Sequence, residues 1–336
     1  MIRVGELAAV AGLWAAATMT GAAESRIGII GLDTSHATAF TKTFNASEPA
    51  EAVRGMRVTA AYPMGSSDIE SSTSRREAIT AQVVAQGVEI VDSIEALLDQ
   101  TDCVLLETND GRPHLAQIRP VIAAGKPVFV DKPVGGSLAE VLAIYALAER
   151  AGVPIFSSSA LRWGDGPQAV RAGAVGRVRG CDTFGPCTLE PTHPDLFWYG
   201  IHGVEMLVTC MGPGCEAVTR SGAADADVVV GRWADGRLGT FRGMRPLKPF
   251  GGVAFGERDV RPLGDNPGYE PLVRQIADFF RTGKPPVDAA ETIEIYAIME
   301  AAHESGRRGG VPVNVADTIA AARPVAERLL TTDTHR

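Results

Sequence analysis

The chain has 336 residues, 45% hydrophobic and 21% charged, the balance of a globular protein long enough for two domains. A formal charge of −8 without any basic stripe argues against a nucleic-acid surface, and no run approaches the ~20 apolar residues of a membrane span. Five cysteines show no Cys-x-x-Cys spacing. Cys103 falls inside a strand, whereas Cys210 and Cys215 bracket a Gly-Pro-Gly turn and could pair in an exported protein, a pairing the reading does not count on.

Residues 1–24 read as a signal peptide or an N-terminal extension. Leu7–Met19 is apolar and alanine-rich, and Gly21–Ala23 offers a small-residue cleavage site. One arginine and one glutamate precede the apolar stretch and give it little positive lead, so a cytoplasmic location is slightly favoured over export.

From Arg26 onward strands alternate with helices. Arg26–Gly31, Arg57–Ala61, Gly87–Val91, Asp102–Leu106, Val128–Val130 and Val153–Phe156 are short apolar strands. Helices are expected at Thr38–Phe44, Arg76–Ala85, Ile94–Asp99, from His114 through Ala123, and over Leu138–Ala148. Tyr62–Arg76 is a polar loop. This alternation predicts a doubly wound parallel sheet over residues 25–157, with the boundary at Ser157–Ser159. Residues 158–336 change pattern. Val175–Phe184, Asp227–Ala234, Gly236–Met244 and Gly252–Arg261 read as strands, with a hairpin at Asp235–Gly236. Ile201–Met211, Glu270–Arg281 and Ala289–Ser305 are expected helices, and Gly309–Gly310 is a stop.

The most informative segment is Gly125–Pro133. Its apolar strand delivers Asp131–Lys132–Pro133 to a carboxyl edge, where open α/β sheets bind ligands. A strongly hydrated lysine parked there costs free energy unless it has a partner or a task. A salt-bridged hinge lysine is the bland alternative; a lysine acting on bound substrate is the reading adopted.

The turn after the first strand runs Gly28–Ile29–Ile30–Gly31–Leu32–Asp33–Thr34–Ser35–His36. A dinucleotide turn wants glycines where Gly31, Asp33 and His36 stand. Asp33 would put a carboxylate beside a diphosphate, and Ala61–Tyr62–Pro63 lacks the acid that binds ribose hydroxyls. Arg75 and Arg76 could meet a ribose phosphate or simply begin a solvated helix. Asp33, Thr34 and Ser35 are all capping types, so capping competes with ligand binding here. A second constellation, His193–Glu205, packs two histidines and two acids together, with His202 and Glu205 on one helix face.

These motifs, in this order, resemble the Gfo/Idh/MocA (glucose–fructose oxidoreductase / inositol dehydrogenase) family over roughly residues 26–315. The family carries Glu-Lys-Pro where this chain has Asp131–Lys132–Pro133. Its strand, proline-containing loop and histidine correspond to Asp102–Leu106 and Pro113–His114. An arginine follows its next strand, as Leu161–Arg162 does here, and Val287–Asp288 through Ser305–Gly306 resembles its late helix. The position four before His202 is Trp198 instead of the family's aspartate, so Asp195 or Glu205 would stand in.

The resemblance implies a Rossmann-type domain followed by an α+β domain with a mixed, mostly antiparallel sheet through which the chain would form a homo-oligomer. It implies an NAD(P)-dependent oxidoreductase for a sugar, cyclitol or related polyol, with Lys132 and His202 catalytic. NAD or NADP would be held by the first turn (Gly28, Gly31, Asp33, Thr34, Ser35, His36), by Thr108, Asn109 and His114, and by Asp131. Arg162, His193, Asp195, Tyr199 and Glu205 would read the substrate. The altered turn keeps a second reading open. In it a dinucleotide-independent relative performs redox-neutral hydrolysis, elimination or epimerisation of a sugar derivative. A divalent metal such as zinc would then sit on His36, His193 and His202. A non-catalytic sugar-binding protein is the third.

Overall fold

The computed structural model describes residues 24–331, so the leader segment read at 1–24 lies almost wholly outside the described residues. A six-stranded parallel sheet comes first, built from β1 (Ser25–Ile30), β2 (Met56–Tyr62), β3 (Glu89–Ile90), β4 (Cys103–Leu106), β5 (Val128–Val130) and β6 (Ile155–Phe156). Its order is β3-β2-β1-β4-β5-β6, so chain direction across the sheet reverses between β1 and β4. That reversal opens a crevice at the carboxyl ends of β1 and β4.

Strand side chains alternate between two cores. Ile27, Ile29, Leu105, Phe129 and Phe156 face one layer, which helices 35–44, 76–85 and 270–282 cover. Ile30, Val104, Leu106, Val128 and Val130 face the other, under helices 114–123 and 138–151. Helix 270–282 comes from late in the chain, yet its Phe279 ring meets Phe156 edge-on at 4.8 Å. The last third of the chain is thereby packed onto the parallel sheet.

A seven-stranded mixed sheet follows: β7 (Val178–Pro186), β8 (Cys215–Gly222), β9 (Ala226–Trp233), β10 (Leu238–Met244), β11 (Gly251–Gly256), β12 (Val260–Pro262) and β13 (Val313–Asn314), in the order β12-β11-β7-β10-β9-β8-β13. Only the β7–β10 pair is parallel. The expected hairpin is present: β9 and β10 pair antiparallel, and Gly236 turns between them at φ 83°. Its helix-facing side carries Cys181, Thr183, Val229, Phe241 and Ala254, while helix 201–211 lies against β7 and β10.

Three points of the sequence reading need correction. The strand expected over Gly252–Arg261 is two strands, β11 and β12, joined by a turn at Glu257–Asp259. β8 was not anticipated, because Cys215–Gly222 mixes charged and small residues without alternation. The helix over 315–331 was also missed, since Pro324 interrupts its pattern. Cys210 and Cys215 are both buried free thiols, in line with a reading that does not count on their pairing.

A candidate active site at the sheet crevice

Gly31 leaves β1 at φ 95°, and a Cβ there would lie 2.3 Å from the Thr108 backbone nitrogen, so only glycine lets the exits of β1 and β4 approach. Helix 35–44 starts next. Thr34 caps it by accepting from the His36 N–H, which settles the capping assignment among Asp33, Thr34 and Ser35. Asp33 does something else. Its side chain is fully buried and its Oδ1 accepts from the Asn109 N–H at 2.9 Å, tying the β1 exit to the β4 exit. Burial raises its pKa above the usual carboxylate range. Its carboxylate faces inward, under Gly65, so the expected like-charge clash with a diphosphate is not built into this turn.

A cavity of about 210 Å³ opens beside that turn. Its wall includes Ser35, His36, Asn109, Lys132, Tyr199 and His202, and Arg75 lies at one side. Lys132 is 7% exposed. Desolvation lowers its pKa, and the neighbouring Asp131 carboxylate opposes that shift. Its Nζ stands 5.5 Å from the Tyr199 ring centroid, a cation–π distance.

Beneath the cavity, Asp131 Oδ2 meets His36 Nδ1 at 2.6 Å, and Asp131 Oδ1 accepts from the Lys132 N–H. Burial alone would raise Asp131, but His36 and Lys132 outweigh it and hold the carboxyl down at about 2. Glu107, the residue after β4, is fully buried with neither carboxylate oxygen hydrogen-bonded. Burial, followed by the adjacent Asp131 charge, pushes its pKa well up.

His202 follows one wide π turn, Leu196–Gly200, at the start of helix 201–211. Its Nδ1 is 2.7 Å from Ser159 Oγ, and the Ser159 N–H donates to Glu205 Oε2. Desolvation, reinforced by the Lys132 charge, holds its pKa well below the usual 6.5, so its imidazole is neutral at pH 7. Glu205 is also the anchor of a buried network: its Oε1 accepts from Arg162 Nε at 2.7 Å, and Arg162 Nη1 reaches Glu291 at 2.6 Å.

The crevice thus gathers Lys132, His202, Asn109, Tyr199, His36, Thr34 and Ser35 from the sequence set, with Asp131 just beneath. Other sequence candidates go elsewhere. Arg162 and Glu205 pair with each other in the core and do not line the cavity. His114 is fully buried and bridges the Thr108 and Val134 carbonyls, joining the ends of β4 and β5. His193 sits on Asp110 at 3.1 Å and against Trp198, so the metal grouping His36, His193 and His202 does not assemble. Asp195 pairs with Arg220 on another face. Gly28 is glycine because a Cβ would strike Leu97, a packing reason, and Thr108 backs the Gly31 turn. Glu107 was missed outright. It stands directly after an apolar strand, which is the same signal that exposed Lys132.

The residues fit the phosphate-bearing part of a dinucleotide. Ser35, the first residue of helix 35–44, lines the cavity, where a helix N-terminus favours an anion, and Arg75 and Lys132 line it too as basic residues. Tyr62, half-buried at the end of β2, replaces the usual ribose acid.

Residues 25–159 match the family described as "Oxidoreductase family, NAD-binding Rossmann fold", Gfo/Idh/MocA. None of the curated proteins compared with the chain matches it. Among solved structures, a "probable dehydrogenase" from Thermotoga maritima aligns at TM-score 0.71 and 19% identity, over 87% of this chain and 99% of its own. Scyllo-inositol dehydrogenase from Lactobacillus casei with bound NAD(H) and scyllo-inositol gives 0.69 and 14%, covering 87% and 99%. Myo-inositol dehydrogenase from Corynebacterium glutamicum gives 0.69 and 15%, covering 86% and 98%. At such identities these likenesses establish the fold. The parallel-sheet region, residues 25–159, is thus similar to the Gfo/Idh/MocA oxidoreductase family.

Proposed function

We propose that the protein is an NAD(P)-dependent oxidoreductase acting at a secondary alcohol or ketone of a sugar, cyclitol or related polyol. The observation that carries this reading is the pairing, in the wall of one small cavity, of a buried lysine with a neutral histidine. When bound, the nicotinamide supplies or accepts hydride. Lys132 then holds the reacting oxygen and stabilises charge that builds on it, in a desolvated setting where such contacts are strongest. His202 exchanges the hydroxyl proton. Its Nδ1 is fixed on Ser159 Oγ, and a hydroxyl can either donate or accept in that bond, so His202 can serve as base in oxidation and acid in reduction. Tyr199 and Asn109 line the same cavity and would read substrate hydroxyls.

Inositol dehydrogenases among the structural neighbours support the polyol class. The outward side of the mixed sheet supports assembly into an oligomer: Phe184, Leu238, Phe255 and Val260 are exposed there. The test is a spectrophotometric screen of polyols and ketoses with both nucleotides, repeated with Lys132→Met. Turnover that Lys132→Met abolishes is expected. Normal turnover by that variant would remove the lysine from the account.

A redox-neutral alternative rests on Tyr62, which leaves the adenosine end without its usual acidic partner. It predicts release or rearrangement of a sugar derivative with no absorbance change from nicotinamide.

A further inference from the structure

Three carboxylates lie beneath the cavity wall. Asp33, Glu107 and Asp131 come from the exits of β1, β4 and β5, and each is at most 1% exposed. Asp33 and Asp131 each have one oxygen satisfied by a backbone N–H. Glu107 has none, although both its oxygens are buried. Lys132 and His36 both flank Asp131, and Glu107 still keeps two buried oxygens without a partner. Burying uncompensated charge is strongly unfavourable, so a positive species belongs in the cluster.

His36 completes the set. It occupies the third position of the glycine turn, where a side chain is not expected, and its ring reaches over Asp131. Ligand atoms of His36, Glu107 and Asp131 all lie within 4.8 Å of one another, though they come from three separate elements. We propose that these three residues hold a divalent transition-metal ion, Zn²⁺ or Mn²⁺, in the wall of the cavity beside Lys132. One imidazole with two carboxylates is the donor set such ions take, whereas Mg²⁺ and Ca²⁺ favour oxygen alone. Three protein ligands leave the ion a position for water or for a substrate oxygen. His36 lines the cavity, so that position is within reach of a bound polyol.

The competing account is a proton shared between Glu107 and Asp131, and the two separate cleanly. Protein purified without a histidine tag is stripped with chelator and dialysed. Zn²⁺ or Mn²⁺ alone is then added, with no nucleotide or substrate present. The proposal expects one ion per chain by elemental mass spectrometry and a raised unfolding temperature that chelator reverses. Glu107→Gln and His36→Gln should each weaken binding by more than the ~10–100-fold that loss of an outer-shell partner costs. Two results overturn it. One is no bound ion together with a Glu107→Gln variant at least as stable as the parent, which leaves the shared proton. The other is an ion retained undiminished by both variants, which places it elsewhere. In chelator, cooperative unfolding of each variant shows that it is folded. Because the ion is measured without dinucleotide, failure here leaves the hydride-transfer reading standing, and the reverse also holds.

Discussion

Burial disfavours the charged forms of both Lys132 and His202; the Asp131 carboxylate resists this in each, and the Lys132 charge adds to the desolvation at His202. Removing the ammonium should therefore lower kcat by ~10²–10³, the range for loss of one transition-state charge contact, and this is checked with Lys132→Met on whichever polyol turns over. His202 must be neutral to accept a proton. Its pKa lies below 6.5, so the kcat/KM profile for alcohol oxidation should stay level through pH 6.5 and fall only on further acidification. A limb at or above pH 6.5 would contradict that. Ser159 acts through His202 as a positioning residue. Ser159→Ala should lower kcat more than it raises KM and displace the acidic limb, which a purely structural serine would not do. Lys132 was legible in the sequence because a charged residue at the end of an apolar strand needs a reason. Glu107 satisfies the same rule and was passed over, because no motif drew attention to it.

At the scale of elements, helices 201–211 and 289–307 lock onto the crevice through buried charge. Arg162 links Glu205 on one to Glu291 on the other. Deleting Arg162 leaves Glu205 without its cation, while Glu291 keeps Arg171, so Arg162→Met should destabilise the fold by about 3–5 kcal/mol in denaturant titration, though it does not line the cavity. The sequence placed Arg162 and Glu205 correctly on their elements but assigned them to substrate. An arginine after a strand looks the same whether it meets a ligand or a carboxylate contributed by a distant segment. Helix 289–307 also carries His303, whose Nε2 accepts from the Leu196 N–H and must be neutral to do so. Desolvation lowers its pKa from 6.5 to about 4. The unfolded chain then binds the proton more tightly. Stability is full above pH 6.5 and declines as pH falls toward 4, by about 3 kcal/mol from this residue. His303→Gln, which retains an acceptor, should flatten that slope in unfolding measured from pH 7 to 4. Strand alternation and helix spacing made most elements readable, whereas β8 and helix 315–331 depend on tertiary packing that weak local patterns do not record.

Across the whole molecule, two sheets present different faces. The parallel sheet is covered on both sides, while the mixed sheet buries one side under helices and leaves Phe184, Leu238, Phe255 and Val260 outward. Phe255 pairs with Val260 and with Gly180, and Leu238 also pairs with Gly180, so three of these side chains form one patch. Light scattering should find an oligomer that Phe255→Lys dissociates; a monomeric parent would remove the assembly from the proposal. Among the described residues no helix is long and apolar enough to cross a membrane. The fold class was readable because alternation of strand and helix dictates a doubly wound sheet. The direction of the Asp33 side chain was not, and it reverses the apparent conflict with a diphosphate: turned inward onto Asn109, the carboxylate leaves the helix N-terminus open. Calorimetric titration of NAD⁺, NADH, NADP⁺ and NADPH into the protein, after checking for copurified nucleotide, tests this most directly. The account predicts micromolar or tighter binding of at least one of the four, weakened by Arg75→Ala. Absence of binding by all four, with none released on denaturation, would contradict the oxidoreductase reading and leave the redox-neutral one.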